Sequence, residues 1–177
     1  VGAGLSGAQA ATHSHPFTAA SGNTTLRGRI NIATADPANA GAQYIIEVQY
    51  VTHEEPLANR NNNCSYRRIS TTATSFTGLA VTQAQKTAIQ GWRDLDPTVT
   101  ITNVDVPGEG RFEVAYKVTD NGNGTWHYEY AVHNQTSNRA AGQFSLPIPA
   151  GVNVTNIGFH DIDYHSGETI VGTDWIG

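Results

Sequence analysis

The sequence predicts an all-β fold, an antiparallel two-sheet β-sandwich of the jelly-roll or immunoglobulin-like kind with one short helix near residues 82–92. Three observations predict it: apolar and polar residues alternate over several short segments, turn residues separate these segments, and only one segment has helical periodicity. A chain of 177 residues suits one domain with a sizeable core. We expect a Gly-, Ala- and Ser-rich arm at 1–22 and a single sandwich domain at 23–177 that continues beyond residue 177.

The clearest element is a hairpin. Its first strand alternates apolar Phe112, Val114, Tyr116 and Val118 with the more polar odd-numbered residues from 111 to 119. The turn at 120–124 is rich in Asn and Gly, which tolerate a positive φ. The second strand places its apolar residues on one face and its more polar residues on the other, namely Trp126, Tyr128, Tyr130 and Val132 against His127, Glu129, Ala131 and His133. We expect the aromatic face to lie in the core and the histidine face to be exposed.

Seven further segments complete the strand prediction, which amounts to about eight strands in all. The strand at 43–53 alternates so that Tyr44 and Tyr50 share an apolar, core-facing side. Weaker alternation predicts strands at 26–33, 66–75 and 98–104, and later ones at 143–148, 152–157 and 159–165. The helix is predicted to start at Thr82 as N-cap, to run to Trp92 and to be ended by Pro97.

Composition excludes some partners. The formal net charge is −5, the chain has only two lysines, Lys86 and Lys117, and its arginines are scattered, so no basic patch favours nucleic acid or anionic lipid. No apolar run approaches the roughly 20 residues that span a bilayer. Charged residues make up 14% of the chain against about a quarter in an average domain. This balance indicates a secreted or cell-surface protein. The single Cys64 cannot form an internal disulfide.

Part of the chain resembles known proteins. From Tyr128 it reads Tyr-x-Tyr-x-Val-x-Asn, residues 147–151 read Pro-x-Pro-x-Gly, and residues 158–167 read Gly-Phe-His-Asp-Ile-Asp-Tyr-His-Ser-Gly. This pattern resembles secreted β-sandwich proteins of environmental bacteria, in particular a group of long, uncharacterised exported proteins, and the resemblance extends over about 43–175. It implies export and a sandwich fold, and it implies no activity.

A metal site is the first candidate for chemistry. Along a strand at 159–165, Asp161, Asp163 and His165 would share one side, and His127 and His133 of the hairpin would join them if the two strands are neighbours. Carboxylates with imidazoles favour zinc, manganese or iron over calcium. A divalent metal ion is therefore the one cofactor that the pattern suggests. The simpler interpretation is that these side chains only satisfy local hydrogen bonds.

Two other kinds of binding are open. Trp175, Tyr164 and Tyr66 are candidates for stacking on sugar rings, because the remaining aromatic residues of the strands are assigned to core faces. An exposed strand edge favours self-association.

The chain carries no nucleophile elbow, phosphate loop or zinc-protease helix. The question of enzymatic activity stays open and leans towards none. We therefore predict an exported, non-catalytic binding or assembly module of the cell surface or extracellular matrix, whose partner is polysaccharide or a second copy of the chain. The alternatives are a metal-binding domain, including a metal-dependent enzyme that acts on polysaccharide, and a carbohydrate-binding module.

Overall fold

A computed structural model describes residues 39–159 apart from 52–53, 73–74 and 138. The chain divides into two units, Ala33–Phe144 and a second made of Val1–Ile32 with Ser145–Gly177. All strands and helices that the structure describes belong to the first unit. In chain order they are β1 (Tyr44–Gln49), a 3-10 helix (Leu57–Asn62), β2 (Cys64–Thr71), β3 (Phe76–Gly78), β4 (Gln83–Ala84), α1 (Ala88–Leu95), β5 (Thr100–Val106), β6 (Gly110–Asp120) and β7 (Trp126–Asn134).

These strands form two antiparallel sheets. The first has the order β1-β2-β3, and β4 also pairs with β2. The second has the order β5-β6-β7. Among the described residues, a mostly β fold with two antiparallel sheets and one short α-helix is therefore confirmed, while face-to-face sandwich packing stays a prediction.

The hairpin of β6 and β7 is confirmed. Tyr116 lies opposite Tyr130 in its register. Gly122 and Gly124 in its turn have φ of 73° and 83°, where side-chain-bearing residues are strained. The side chain of Asp120 accepts a hydrogen bond from the backbone N–H of Gly122, which stabilises the turn.

Helix α1 begins later than the sequence predicts. Its N-cap is Thr87, whose side chain accepts from the backbone N–H of Gln90. The predicted cap, Thr82, instead precedes the short strand Gln83–Ala84, which pairs with β2. Gln85 then reverses the chain with a φ of 61°. Pairing of these residues with β2 therefore displaces the helix start by five residues.

The core of the first unit lies between α1 and the second sheet. Ile89, Val99 and Ala115 are buried there, with Trp92, Ile101 and Ala131 packed against them. Ala115 and Ala131 are register partners on the face of the hairpin that also carries Glu113 and His133. On β7, the part of the predicted exposed face that carries Ala131 and His133 therefore packs towards the helix, while His127 and Glu129 are exposed as predicted.

The opposite, aromatic face of the hairpin is exposed, contrary to the prediction that it forms the core. Trp126 and Tyr128 keep 55% and 54% of their surface accessible. Around β1 the same reversal occurs, because Tyr50, just after the strand, is 74% exposed while Ile45 and Glu47 within it lie towards α1. Alternation identifies two faces of a strand, and the small side chains of Ala115 and Ala131 are what allow the helix to approach this one.

Several predicted strands are not found. Within the described residues 139–159, the segments at 143–148 and 152–157 form no strand. The predicted strand at 26–33 and all of 159–165 except Phe159 lie outside the described residues, as does the arm at 1–22. None of the helices described is both long and apolar enough to cross a membrane.

Candidate functional site

Three ionisable side chains from three strands meet beside α1, and we call them the Glu–His–Glu cluster. Nε2 of His133 on β7 lies 3.4 Å from Oε1 of Glu47 on β1. Nδ1 of the same ring lies 3.7 Å from Oε2 of Glu113 on β6. Glu113 is 1% exposed, so its carboxylate is withdrawn from water. The cluster thus joins a strand of the first sheet to two strands of the second.

The start of α1 provides the remaining donors to these carboxylates. The hydroxyl of Thr87 donates to Oε2 of Glu113 at 2.5 Å, and Nε2 of Gln90 donates to its Oε1 at 2.5 Å. The backbone N–H of Ala88 donates to Oε2 of Glu47 at 2.5 Å. Negative charge at a helix N-terminus is favourable, because the first N–H groups of a helix have no partner within it. Both carboxylates are therefore stabilised in their charged form.

The electrostatics of the cluster agree with this geometry. The carboxylates of Glu113 and Glu47 raise the pKa of His133 to about 9, against the opposing effect of burial. Burial raises the pKa of Glu113, but His133, Thr87 and Gln90 together outweigh burial and leave that pKa below its ordinary value. For Glu47, burial likewise raises the pKa, and His133 with the N–H of Ala88 leaves it lowered. At neutral pH the cluster holds one imidazolium between two carboxylates.

Both ring nitrogens of His133 face carboxylates of the same chain, at ion-pair distances of 3.4 and 3.7 Å, and the buried Nδ1 makes no hydrogen bond to any described residue. His127 lies six residues from His133 on the same strand, a separation of about 20 Å at 3.3 Å per residue, which is too far for one ion to bind both. In the part of the chain that the structure describes, no three His, Cys, Asp or Glu residues are grouped so as to hold a metal ion. His133 is thus a partner in an ion-pair cluster. The predicted metal site of Asp161, Asp163 and His165 with His127 or His133 stays a prediction.

The other predicted metal ligands, Asp161, Asp163 and His165, lie outside the described residues. The stacking candidates Tyr164 and Trp175 lie there as well.

Tyr66, the third stacking candidate, is described and is only 4% exposed. Its hydroxyl donates to Oδ2 of Asp94 at 2.7 Å, and Nζ of Lys86 contacts the same oxygen at 2.6 Å. Burial, followed by the hydrogen bond to Asp94, raises the pKa of Tyr66 to about 12. Tyr66 therefore anchors α1 to β2, and stacking of its ring on a ligand stays a prediction.

A second layer of polar contacts lies beside the Glu–His–Glu cluster. Nε2 of Gln49 donates to the backbone carbonyl of Gln135 at 2.6 Å, and Nε2 of Gln135 donates to the carbonyl of Asn61 at 2.8 Å. The same amide nitrogen of Gln135 lies 3.8 Å from Sγ of Cys64, a thiol that is 1% exposed. Burial raises the pKa of this thiol. These contacts close the boundary between the first sheet and the end of β7.

The exposed side of the hairpin is the second candidate site. We define the aromatic face as Tyr116, Val118, Trp126, Tyr128, Tyr130 and Val132. The rings of Tyr128 and Tyr130 are nearly parallel, at an interplanar angle of 8°, with centroids 6.4 Å apart. The ring of Tyr116 lies 6.3 Å from that of Tyr130. These six side chains carry no formal charge.

Of the Glu–His–Glu cluster, sequence reasoning singled out only His133, as a metal ligand, and it assigned the residues of the aromatic face to the core. The pattern that could have revealed the orientation was the pair Ala115 and Ala131, since two small residues opposite each other favour the approach of a helix. The role of Thr87 was also missed, although Thr87-Ala-Ile-Gln is as good a cap pattern as the segment that begins at Thr82.

Comparison of the chain with known proteins gives no relative: no family model, no curated protein and no solved structure matches it.

Proposed function

We propose that this protein is an exported, non-catalytic binding module with a β-sandwich fold, and that it takes uncharged polysaccharide on the aromatic face. The observation that carries the proposal is the exposure of Trp126, Tyr128 and Tyr130 in one row along β7. Large aromatic side chains are otherwise buried to gain free energy, and a contiguous exposed set marks an interaction surface.

The chemistry of this row suits a sugar chain. Trp126 and Tyr130 are four residues apart, about 13 Å along a strand, so an extended ligand can contact more than one ring. Each ring offers an apolar face for the C–H groups of a sugar and a hydroxyl or indole N–H for its hydroxyl groups. Because the aromatic face carries no charge, nothing on it selects an acidic polymer.

A non-catalytic role is supported by the contacts of the buried carboxylates, which are all made within the fold. Glu113 is held by Thr87, Gln90 and His133, and Glu47 by Ala88 and His133. A general acid or base must reach its substrate, whereas these groups bond to other parts of the fold.

Binding to polysaccharides tests the proposal. The protein is incubated with cellulose, chitin, starch and xylan, with pectate as an acidic control polymer, and the bound fraction is measured over a range of concentrations. Trp126→Ala and Tyr128→Ala are each expected to weaken binding by about tenfold, the effect of losing one aromatic contact. Glu129→Gln, which changes the opposite face of the same strand, is the matched control.

Two results would contradict the proposal. One is an absence of binding to all four uncharged polymers. The other is binding that Trp126→Ala and Tyr128→Ala leave unchanged while circular dichroism shows both variants folded.

Self-association is the second candidate function. Strand β7 is the last in the order β5-β6-β7, and its nine residues include no Pro or Lys, the residues that commonly protect an open edge. Sedimentation velocity over a wide concentration range tests this alternative. A dimer that persists in Trp126→Ala favours pairing at the β7 edge, whereas a protein that stays monomeric at all concentrations excludes it.

A further inference from the structure

We infer that the Glu–His–Glu cluster is a proton-operated latch, which holds β1 and α1 against the second sheet and opens reversibly at alkaline pH. The geometry carries this inference, since Glu47 belongs to the first sheet while Glu113 and His133 belong to the second. The latch operates whatever ligand the aromatic face takes.

Removing the proton from His133 changes the balance of charge within the cluster. The negative charge of Glu113 already acts unfavourably on Glu47, and only the imidazolium lies between them. Once the imidazole is neutral, two carboxylates withdrawn from water face each other without a counter-charge. Separation of β1 from β7 relieves this repulsion and returns Glu47 to water.

The groups around the cluster do not substitute for that proton. The start of α1 contributes the neutral side chains of Thr87 and Gln90. On β6, Arg111 feels the charge of Glu113, but its guanidinium is paired with Asp105 at 2.6 Å. On β2, the nearby titratable groups are the thiol of Cys64 and the hydroxyl of Tyr66, the register partner of Glu47. Burial raises the pKa of the thiol, and burial followed by the bond to Asp94 raises the pKa of Tyr66 to about 12, so both give up their protons less readily than ordinary groups.

The direction of the pH effect follows from the pKa of His133. It is raised from 6.5 to about 9 in the folded protein, so its stabilising contribution is complete below pH 6.5 and is lost as the pH rises through about 9. The gap between 6.5 and about 9 limits the change in the opening equilibrium to about 300-fold. Since the side chain of His133 is 27% exposed, solvent screening reduces this, and we expect a change of about ten- to a hundredfold.

Cys64 provides a direct measure of opening. It is the only cysteine in the chain, it is buried, and it lies against Gln135 at the boundary that the latch closes. Its rate of alkylation is measured by mass spectrometry between about pH 7 and about pH 10, and is divided by the rate for the same chain unfolded in urea at each pH. This ratio removes the ordinary effect of pH on thiol reactivity, because only the thiolate reacts.

The normalised rate is expected to rise about ten- to a hundredfold with pH in the wild type, and to fall again when the pH is returned to 7 before labelling. In His133→Gln it should already be high at about pH 7 and should change little with pH. His127→Gln is the matched control, a histidine on the exposed part of the same strand, and should behave as the wild type. A second variant, Glu47→Gln, removes one carboxylate and should move the rise to lower pH.

Either of two results would overturn the latch: a wild-type ratio that stays within about twofold over the whole range, or a rise that persists in His133→Gln. If His133→Gln does not fold, Glu47→Gln decides the question, because an unmoved rise in that variant rules out the cluster as its origin.

Discussion

The hydroxyl of Thr87 connects the start of helix α1 to the buried carboxylate of Glu113. It donates to Oε2 of Glu113 at 2.5 Å, and the hydroxyl oxygen of Thr87 accepts from the backbone N–H of Gln90 at 3.4 Å. The side chain of Thr87 thus provides a hydrogen-bond acceptor for the first turn of the helix and a donor for the buried carboxylate of Glu113. This explains how a glutamate can point into the first unit without losing its charge.

Thr87→Ala is expected to lower the free energy of unfolding by about 2–4 kcal/mol. Loss of an N-cap costs about 1 kcal/mol, and loss of a buried hydrogen bond to a charged group costs about 1.5–3 kcal/mol more. Urea unfolding followed by circular dichroism measures the change. Thr87→Ser keeps the hydroxyl and should stay within about 1 kcal/mol of the wild type. Equal losses in both variants would show that the methyl group, not the hydroxyl, matters.

Gly110→Ala is expected to destabilise the protein by about 2–3 kcal/mol, because a Cβ there would lie 2.5 Å from the backbone carbonyl of Thr136. Backbone cannot move aside as easily as a side chain. Gly142→Ala is the matched control, since a Cβ at that position meets nothing within 4 Å. Thermal melts of the two variants measured side by side test the difference, and similar melting temperatures would contradict it.

Acidification should also weaken the Glu–His–Glu cluster, through protonation of its carboxylates. The pKa values of Glu47 and Glu113 are lowered from 4.5, so their stabilising contribution is present above pH 4.5 and is lost as the pH falls below it. His133 adds nothing here, because it is protonated in both the folded and unfolded chain. Urea midpoints between about pH 5 and about pH 3 should therefore fall more steeply in the wild type than in Glu47→Gln. Parallel curves would mean that other carboxylates account for the loss.

Tyr66→Phe should cost about 1–3 kcal/mol, since it removes the hydroxyl that donates to the charged carboxylate of Asp94 while keeping the buried ring. In a Lys86→Ala background the cost is expected to differ, because Lys86 and Tyr66 share the same carboxylate oxygen. A double-mutant cycle from urea unfolding measures this coupling. Tyr128→Phe, on the exposed aromatic face, should be close to neutral.

The sequence was sufficient to predict the hairpin, because the alternation of β6 and β7 and the Asn-Gly turn between them are local signals. It was not sufficient to orient the hairpin. Alternation separates two faces, and burial of the face with Glu113 and His133 depends on partners that are distant in the chain, such as Glu47 and Thr87. The rule that polar side chains lie on the protein surface fails where partners distant in the chain supply their hydrogen bonds and ion pairs.

The predictions of the helix start and of the later strands failed for a related reason. Thr82 and Thr87 both precede plausible first turns, and only the pairing of Gln83–Ala84 with β2 decides between them. The segments at 143–148 and 152–157 have alternating residues but form no strand among the described residues, because a strand needs a neighbour as well as a pattern. The predicted ligands Asp161, Asp163 and His165 lie outside the described residues and stay a prediction.

The two faces of β7 separate packing from exposure within a single strand. Ala131 and His133 hold the strand in place, while Trp126, Tyr128, Tyr130 and Val132 point away from the helix. Substitutions at these outward positions therefore leave the interior unchanged, apart from Tyr130, whose ring packs against Phe144. Under the proposed function, the hairpin is a scaffold whose specificity can diverge faster than its architecture.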